Sequence, residues 1–403
     1  MYHPAFIAEY LSTGSHMIGR GENMKRMILL LCLPLLCSCA VQDISSQEPV
    51  QTSTACLAEA LTDPALPEGR APVNFRKQNG RWITYLQYPE LMGEKNEEQF
   101  RSEIRNIFSQ ALAEGVNTLY VHVRPTGDAY YDSFIFPRGA ALDGEYDPLM
   151  IMTDEAHAFG MSIHAWINPL RLQTAEQMQS VSDSYITRQW ADQGKYAKLV
   201  NGRWYLVPAY EEVRKLIADE VTEILEKYPV DGIHIDDYFY PTTSPDFDSE
   251  AFAASDSTDL SQWRLDNVSA MVKSIYDAVK SRDSRLLFGI SPQGKISANY
   301  DTQFADVRLW AGSSGYCDYI VPQIYYGFHN ETSPFEATLR EWETLRGDSG
   351  VSLVIGLAGY KEGREDAWAG EAGELEWIED DTVISRQISL VEGSSADGYA
   401  VYY

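Results

Sequence analysis

Two adjacent carboxylates at the end of a short β-branched run are the strongest chemical signal in the sequence. Residues 231–241 read DGIHIDDYFYP, so Asp236 and Asp237 follow Ile233 and Ile235 and precede three aromatic residues and a proline. Carboxylates can act as acid, base or nucleophile at a glycosidic bond, and flat aromatic rings stack on sugars. The segment therefore predicts a strand that delivers acids to an aromatic rim, an arrangement that suits chemistry on a carbohydrate.

Eight β-branched or aromatic runs alternate with amphipathic segments after residue 81. Such alternation predicts right-handed β–α–β units and a parallel sheet, and eight units in about 320 residues predict one (β/α)8 TIM barrel. The crossover at 295–316 is the weakest helix prediction. The eighth strand reaches the end of the sequence, so we expect a barrel truncated at strand eight or one closed by a nonstandard element. The predicted strands are 82–88, 116–123, 161–168, 230–236, 286–291, 319–325, 352–358 and 398–403.

Residue parity along these strands separates inward from outward side chains. In the fourth strand Ile233 and Ile235 suit the helix-facing side, so His234 and Asp236 point into the barrel, while Asp237 begins the following loop. Polar inward residues at C-terminal strand ends are typical of barrel enzymes, whereas a purely structural barrel would carry Val, Ile and Leu there. On the other strands, the same parity points Tyr120, His122, Arg124, His164, Trp166, Asn168, Ser291, Gln323 and Tyr325 inward.

Asp236 is the residue that we predict to be central to catalysis, as nucleophile in a retaining enzyme or as base in an inverting one. Asp237 is the second catalytic candidate, either as acid partner or as a group that orients a neighbour such as Arg124. No acid follows the fifth predicted strand, and a proton donor would need its pKa raised by burial or by a neighbouring carboxylate. The candidates for that donor are Asp237, Asp128, Glu362 and Glu365.

Other polar and aromatic side chains of the predicted mouth are candidates for substrate binding, although each could equally serve packing. The inward histidines His122, His164 and His234 could suggest a metal site, but we interpret them as a hydrogen-bonded layer below the rim. We predict no metal and no other cofactor, since no P-loop or dinucleotide fingerprint is present. The predicted substrate-binding residues are Arg124, Asp128, His164, Trp166, Asn168, Arg171, His234, Tyr238, Ser291, Gln323 and Tyr325, with Tyr240 as a further stacking candidate.

The composition excludes several classes of partner. The formal net charge is -27, from 32 Lys and Arg against 59 Asp and Glu. Without a basic stripe, nucleic acid is not an expected partner, and electrostatic adsorption to anionic lipid is disfavoured. The five cysteines show no zinc spacing, and a disulfide framework is not expected, because only Cys56 and Cys317 lie beyond the N-terminal segment that contains the other three.

The segment that follows Met24 predicts a lipoprotein signal peptide. Lys25 and Arg26 precede an apolar run at 27–36 that is too short to span a bilayer. The following Leu-Cys-Ser-Cys resembles a bacterial lipobox, which implies lipidation of Cys39; a plain secretory signal is the alternative. We expect Met24 to be the true start, so residues 1–23 lie upstream of it and the signal peptide extends to residue 39. A flexible tether over 40–79 and a barrel over 80–403 follow. The lipid would anchor the protein to a membrane of the cell envelope.

Five segments, in this order, resemble the bacterial glycosyl hydrolase-like family 10: RPTGDAYYDS, HAWINP, DGIHIDDYFYP, ISPQG and CDYIVPQIYYG. The resemblance covers roughly residues 81–403 and implies a (β/α)8 barrel, often on envelope lipoproteins, that hydrolyses peptidoglycan glycan strands lacking stem peptides. A muramic-acid carboxylate would need a cation, which Arg124 or Arg171 could supply. Gly232 and Asp236 also have the spacing of the α-amylase nucleophile strand, but the acid that follows strand five in those enzymes is absent.

Two alternatives to this function stay open. One is the same chemistry on a different polysaccharide. The other is a catalytically silent lipoprotein that binds glycan in the same cleft. The sequence predicts a glycan as the partner, membrane contact through the lipid alone, and no particular protein partner.

Overall fold

Eight parallel strands close into a barrel in the computed structural model, which describes residues 71–403. Around the barrel the order is β1, β2, β3, β7, β8, β9, β10, β11, and β11 pairs again with β1. The predicted (β/α)8 fold is confirmed. The strands are β1 (Gln78–Ile83), β2 (Thr118–Arg124), β3 (Ser162–Ile167), β4 (Arg171–Thr174), β5 (Ala197–Val200), β6 (Arg203–Leu206), β7 (Gly232–Ile235), β8 (Leu287–Ile290), β9 (Tyr319–Ile320), β10 (Ser352–Ala358) and β11 (Gly398–Tyr402).

Helices connect the strands, and the apolar residues between strands and helices form the main core. The fifth crossover, the weakest helix prediction, contains two short helices, α9 (Ile296–Gln303) and α10 (Val307–Gly312). The helices are α1 (Tyr88–Met92), α2 (Glu97–Ala113), α3 (Pro148–Ala158), α4 (Ala175–Met178), α5 (Ile186–Gln193), α6 (Glu211–Lys227), α7 (Ser249–Ala253), α8 (Leu260–Arg282), α9 (Ile296–Gln303), α10 (Val307–Gly312), α11 (Phe335–Arg346), α12 (Glu376–Glu379) and α13 (Val383–Glu392).

A three-stranded antiparallel sheet, β4–β6–β5, is inserted between β3 and α6 and was not predicted. Its strands have four residues each, too few for a clear alternation of apolar and polar positions. The turn between β5 and β6 carries Asn201 and Gly202, both with positive φ (49° and 83°). An Asn-Gly pair between two short strands is a strong hairpin signal, and it could have revealed this sheet.

Side-chain acceptors align neighbouring strands at the N-terminal end of the barrel. An Asn or Asp immediately precedes each of β2, β7, β9 and β11, and its side chain accepts a backbone N–H from the preceding strand of the barrel. These bonds are Asn79 N to Asn117 Oδ1 (2.9 Å), Ile163 N to Asp231 Oδ2 (2.8 Å), Phe288 N to Asp318 Oδ2 (2.7 Å) and Leu353 N to Asp397 Oδ2 (3.0 Å). Because the buried N–H groups are satisfied in this way, four strand pairs share a defined register.

The predicted tether extends too far towards the barrel. The backbone N–H of Val73 donates to Asp231 Oδ1 (2.6 Å), and the Asn74 side-chain amide donates to the carbonyl of Arg285 (3.0 Å). Residues 73–79 therefore belong to the barrel, because they close its N-terminal end. The predicted leader, Cys39 and the tether up to residue 70 lie outside the described residues. Within the described part, no helix has both the length and the apolar character needed to cross a membrane.

Gly398 lies at the start of β11, where this strand pairs with β1 and closes the barrel. Its φ is +141°, and a Cβ at this position would lie 1.9 Å from the carbonyl oxygen of Gln78 in β1. We expect Gly398→Ala to lower the free energy of unfolding by more than the 1–3 kcal/mol, roughly, that backbone strain alone costs. Denaturant unfolding followed by circular dichroism measures this change.

Gly160→Ala is the matched control, because Gly160 also has a positive φ (+71°) but open space around its Cβ position. Gly160→Ala should lower the free energy of unfolding by the cost of backbone strain alone, without the steric clash. Equal destabilisation by the two substitutions would contradict a steric requirement for glycine at the closure.

Candidate active site

A chain of hydrogen bonds crosses the barrel interior below the mouth. The Trp82 indole N–H donates to His234 Nε2 (3.2 Å), so His234 carries its proton on Nδ1 and donates it to the Tyr319 hydroxyl (3.1 Å). That hydroxyl donates to His164 Nδ1 (2.6 Å), and His164 Nε2–H donates to Asn74 Oδ1 (3.3 Å). Burial lowers the pKa of His234 well below its ordinary value and that of His164 to about 3. Both rings are therefore neutral.

This network confirms the interpretation of His164 and His234 as a hydrogen-bonded layer. All four of their ring nitrogens are engaged. Among residues 71–403, no group of three or more His, Cys, Asp or Glu side chains could hold a metal ion. The layer supports the mouth from below and is not itself placed to bind a substrate.

Both carboxylates of the Asp-Asp pair reach the mouth. Strand β7 ends at Ile235, and Asp236 (5% exposed) and Asp237 (2% exposed) lie just beyond it. Asp236 Oδ1 accepts the backbone N–H of Tyr238 (3.2 Å), and Asp237 Oδ1 accepts the side-chain amide of Gln323 (3.2 Å). The alternation of side chains along a strand predicted that the two acids lie on opposite faces, but this alternation does not continue past the end of β7. Asp237 is therefore not directed away from the mouth.

The proximity of Asp237 perturbs the ionisation of Asp236. Burial, and then the charge of Asp237, raises the pKa of Asp236 well above its ordinary value of 3.8. The backbone N–H of Tyr238 and the positive charge of Arg171 oppose this rise. Two adjacent buried carboxylates cannot ionise independently. The pair thus retains a proton at pH values at which an exposed aspartate has lost its own.

Arg171 is the cation beside the pair. It is the first residue of β4, so the inserted sheet positions it, and its side chain is 1% exposed. Its guanidinium lies 4.4 Å from the centroid of the Tyr238 ring. The predicted placement of Arg171 and Tyr238 at the mouth agrees with this geometry.

Three tyrosines form an aromatic wall next to the carboxylates. Tyr325 lies 5.9 Å from Tyr360 and 6.3 Å from Tyr402, and Tyr360 lies 5.7 Å from Tyr402, measured between ring centroids. Burial chiefly raises the pKa values of Tyr325 and Tyr402, and the charges of Asp236 and Asp237 raise them further. Tyr325 was predicted and Tyr360 and Tyr402 were not, although the parity of the last strand points Tyr402 inward with Ala400.

A second aromatic surface comes from β2 and β3. The rings of His122 and Trp166 stack with centroids 3.6 Å apart and planes 6° apart. Trp166 donates its indole N–H to Asn168 Oδ1 (3.1 Å), and the Asn168 amide donates to the carbonyl of Pro125 (3.0 Å). Both ring nitrogens of His122 are buried without a hydrogen-bond partner in the described part of the chain. Burial and the charge of Arg171 lower its pKa well below the ordinary value, so this ring is also neutral.

The prediction that Arg124 points into the barrel is wrong. Its guanidinium forms a two-pronged ion pair with Glu220 of α6 (2.6 and 2.8 Å), and both side chains are fully buried. The register between β2 and β3 shifts between His122 and Arg124, and this irregularity turns the arginine towards the helix layer. Arg124 therefore holds the barrel to α6 and is not available for a substrate carboxylate.

Two further residues that were predicted to bind substrate contribute instead to hydrogen bonding and packing within the scaffold. The Ser291 hydroxyl donates to the carbonyl of Val321 (2.9 Å) and is fully buried. Tyr240 packs in the outer core and donates its hydroxyl to Asp248 Oδ2 (3.0 Å), so it is not a stacking platform at the mouth. Asp248 in turn pairs with the buried Arg264 of α8, which draws the loop after β7 onto that helix.

The other predicted proton donors are bonded within their own loop or exposed to solvent. Burial raises the pKa of Asp128, but this carboxyl bonds Thr126 within its own loop. Glu362 and Glu365 are exposed in the loop after β10. Of the four candidates named from the sequence, Asp237 is the one that the structure places beside Asp236.

A closed (β/α)8 barrel with buried carboxylates and aromatic rings at the mouth is an architecture that many glycoside hydrolases use. The chain belongs to the glycosyl hydrolase-like 10 family, whose model matches residues 77–369.

Two curated relatives carry related sequences. The chain is 31% identical to glycosyl hydrolase DigH of Escherichia coli K12 over 280 residues, which cover 62% of this chain and 63% of the relative. It thus spans less than two thirds of that relative. It is 29% identical to glycosyl hydrolase YngK of Bacillus subtilis strain 168 over 352 residues, which cover 79% of this chain and 67% of the relative.

Solved structures share the fold at low sequence identity. The glycoside hydrolase domain of PgaB (BpsB) from Bordetella bronchiseptica matches with a TM-score of 0.52 at 12% identity, over 81% of this chain and 93% of that domain. α-L-Fucosidase isoenzyme 2 from Paenibacillus thiaminolyticus matches with a TM-score of 0.54 at 12% identity, over 81% of this chain and 46% of the fucosidase. These similarities show the barrel fold of glycosidases.

The raised pKa of Asp236 has a consequence for stability. The folded state holds this proton more tightly than the unfolded state, so stability declines as pH rises from the ordinary pKa of 3.8 through the raised value. Asp236→Asn removes this titration. We expect the variant to unfold at higher denaturant concentration than wild type at pH 7–8, by on the order of 1 kcal/mol per pKa unit of the shift. The difference should disappear below about pH 4.

Denaturant midpoints measured between about pH 3 and pH 8 test this effect, because the range spans the ordinary pKa of a carboxyl group and the values above it. Asp246→Asn, at an exposed aspartate of the same loop, is the control and should show no such stabilisation. If Asp236→Asn were less stable than wild type at about pH 7, that result would contradict the raised pKa of Asp236.

Proposed function

We propose that this chain is a glycoside hydrolase that cleaves glycan strands with Asp236 in the central role. The observation that carries the proposal is the buried Asp236–Asp237 pair, one side of which faces the aromatic wall of Tyr325, Tyr360 and Tyr402. The pair retains a proton, so it can supply both an acid and a base to one bond. Membership of a glycosyl hydrolase-like family and the glycosidase fold support this function.

Each group at the mouth has a chemical use on a sugar. The tyrosine wall offers apolar ring faces for a pyranose, and Arg171 offers hydrogen-bond donors and a positive charge beside the pair. Burial of both carboxylates strengthens their interactions with charge that develops on the sugar ring. Acid–base chemistry of this kind requires neither a metal nor a redox group.

The substrate that we propose is peptidoglycan glycan lacking its stem peptides. Support comes from the family resemblance of the sequence motifs. Arg171, whose positive charge acts on Asp236, is the arginine that we propose for a muramic-acid carboxylate, since Arg124 pairs with Glu220.

A digest of purified glycan strands without stem peptides tests this function. Wild type should release short saccharides, and Asp236→Asn should lower kcat/KM by about 100-fold or more, the usual contribution of a catalytic acid or base. Asp246→Asn should match wild type. Chromatography of the products with mass detection provides the measurement.

Other outcomes of the digest would contradict particular parts of the proposal. Binding of the strands by wild type without release of product would contradict hydrolysis and favour a glycan-binding protein. Equal cleavage by wild type and Asp236→Asn would remove Asp236 from the mechanism. Release of product only from another polysaccharide would overturn the proposed substrate.

We also propose that the protein is anchored in the cell envelope through a lipid on Cys39. The basic pair Lys25 and Arg26, the apolar run and the lipobox-like Leu-Cys-Ser-Cys support this proposal. A lipid anchor would hold the enzyme near the cell wall without a membrane-spanning helix.

Cys39→Ser tests the anchor. In cells that express the full chain, wild type should incorporate labelled palmitate and fractionate with membranes, whereas Cys39→Ser should do neither. Cys56→Ser is the control and should behave as wild type. Labelled Cys39→Ser in the membrane fraction would contradict lipidation at this residue.

A further inference from the structure

The two carboxylates lie together on one side of the mouth. They are adjacent in sequence, they follow one strand, and the charges of both act on Tyr325 and on Tyr402. A glycosidase that uses one carboxylate as nucleophile and another as acid needs them on opposite sides of the scissile bond, ~5 Å apart for retention or ~6.5–9.5 Å apart for inversion. Neighbouring residues at one strand end do not provide that arrangement.

Other carboxylates of the described mouth loops are engaged elsewhere or exposed. Asp366 is buried against Lys361, with 2.6 Å between Oδ2 and Nζ. Asp128 bonds Thr126 in its own loop. Glu362 and Glu365 face solvent. Each of these four carboxylates is thus either paired within its own loop or exposed to solvent, which leaves the Asp236–Asp237 pair without a nucleophile partner among them.

We propose that the missing nucleophile is supplied by the substrate, as the carbonyl oxygen of a 2-acetamido group on the sugar whose bond is cleaved. Asp236 donates the proton to the leaving oxygen, and Asp237, held by the Gln323 amide, accepts the hydrogen bond of the acetamide N–H. The inference rests on the proposed function and names its substrate class, glycans of N-acetylated amino sugars.

The first step is balanced within the site. The acetamide oxygen forms a bond to C1 as the bond from C1 to the glycosidic oxygen breaks, and that oxygen takes the proton of Asp236. Asp237 takes the acetamide N–H proton, so a neutral oxazoline results. The attack comes from the sugar itself, and no protein nucleophile is required.

The second step restores the enzyme. Water forms a bond to C1 from the face that the leaving group vacated, and the bond from C1 to the oxazoline oxygen breaks. The ionised Asp236 takes a proton from the water, and Asp237 returns its proton to the nitrogen. One water is consumed, and the configuration at C1 is retained after two inversions.

The acetyl group is the first variable to test. Denuded glycan strands are compared with the same strands after chemical de-N-acetylation, using wild type. Removal of the acetyl groups should lower kcat/KM by about 100-fold or more, as expected for loss of a nucleophile. The first-formed product, followed by NMR, should have retained configuration, and a thiazoline-fused N-acetylglucosamine, which mimics the bicyclic oxazoline, should inhibit competitively.

The outcomes separate this inference from the proposed function. Comparable cleavage of both strands, an inverted product, or covalent labelling of the protein by a 2-deoxy-2-fluoro glycoside would overturn substrate participation and leave the hydrolase intact. Absence of cleavage of either strand would overturn both.

Two isosteric variants test the separate roles. An aryl N-acetylglucosaminide has a leaving group that needs no proton, so Asp236→Asn should lose glycan cleavage but retain aryl glycoside cleavage. Asp237→Asn should slow both substrates by about 100-fold or more. Asp246→Asn should match wild type on both, and denaturant unfolding confirms that each variant is folded. Equal loss of both substrates in Asp236→Asn, or wild-type rates in Asp237→Asn, would overturn the assignment.

Discussion

Pairing of β11 with both β10 and β1 is the constraint on which the site depends. The parallel register runs from Gln78 opposite Gly398 to Arg81 opposite Val401, and a side chain at Gly398 would collide with β1. Because every strand of a closed parallel barrel points the same way, the C-terminal strand ends meet at one mouth. Closure is therefore what brings Tyr402 to the carboxylates that follow β7.

The interior below the mouth is polar but uncharged. The network of Trp82, His234, Tyr319 and His164 satisfies its ring nitrogens and hydroxyl internally, and burial keeps both histidines neutral. A neutral, buried layer offers little compensation for negative charge above it. This environment, together with the adjacent Asp237, raises the pKa of Asp236, so the scaffold and the chemistry of the site are linked through desolvation.

Two buried ion pairs attach the mouth to the helix layer. Arg124 of β2 pairs with Glu220 of α6, and Asp248 in the loop after β7 pairs with Arg264 of α8. Removal of one partner of such a pair leaves an uncompensated buried charge, which costs about 3–5 kcal/mol. Charged residues near the Asp236–Asp237 motif can thus be structural, as the two-pronged pairing of Arg124 with Glu220 shows.

The amino-acid sequence by itself determined the fold class, the eight strands and the location of Asp236, Trp166 and Tyr325, because alternation within a strand and the order of strands and helices are local properties. It did not determine the direction of Arg124, because a bulge of one residue reverses parity and its partner Glu220 lies 96 residues away. It also did not reveal that Asp237 meets Gln323 at the mouth, since backbone beyond a strand end follows no fixed period. Tertiary structure decided which charges serve the scaffold and which lie at the mouth, because burial and long-range pairing exist only once the barrel has closed.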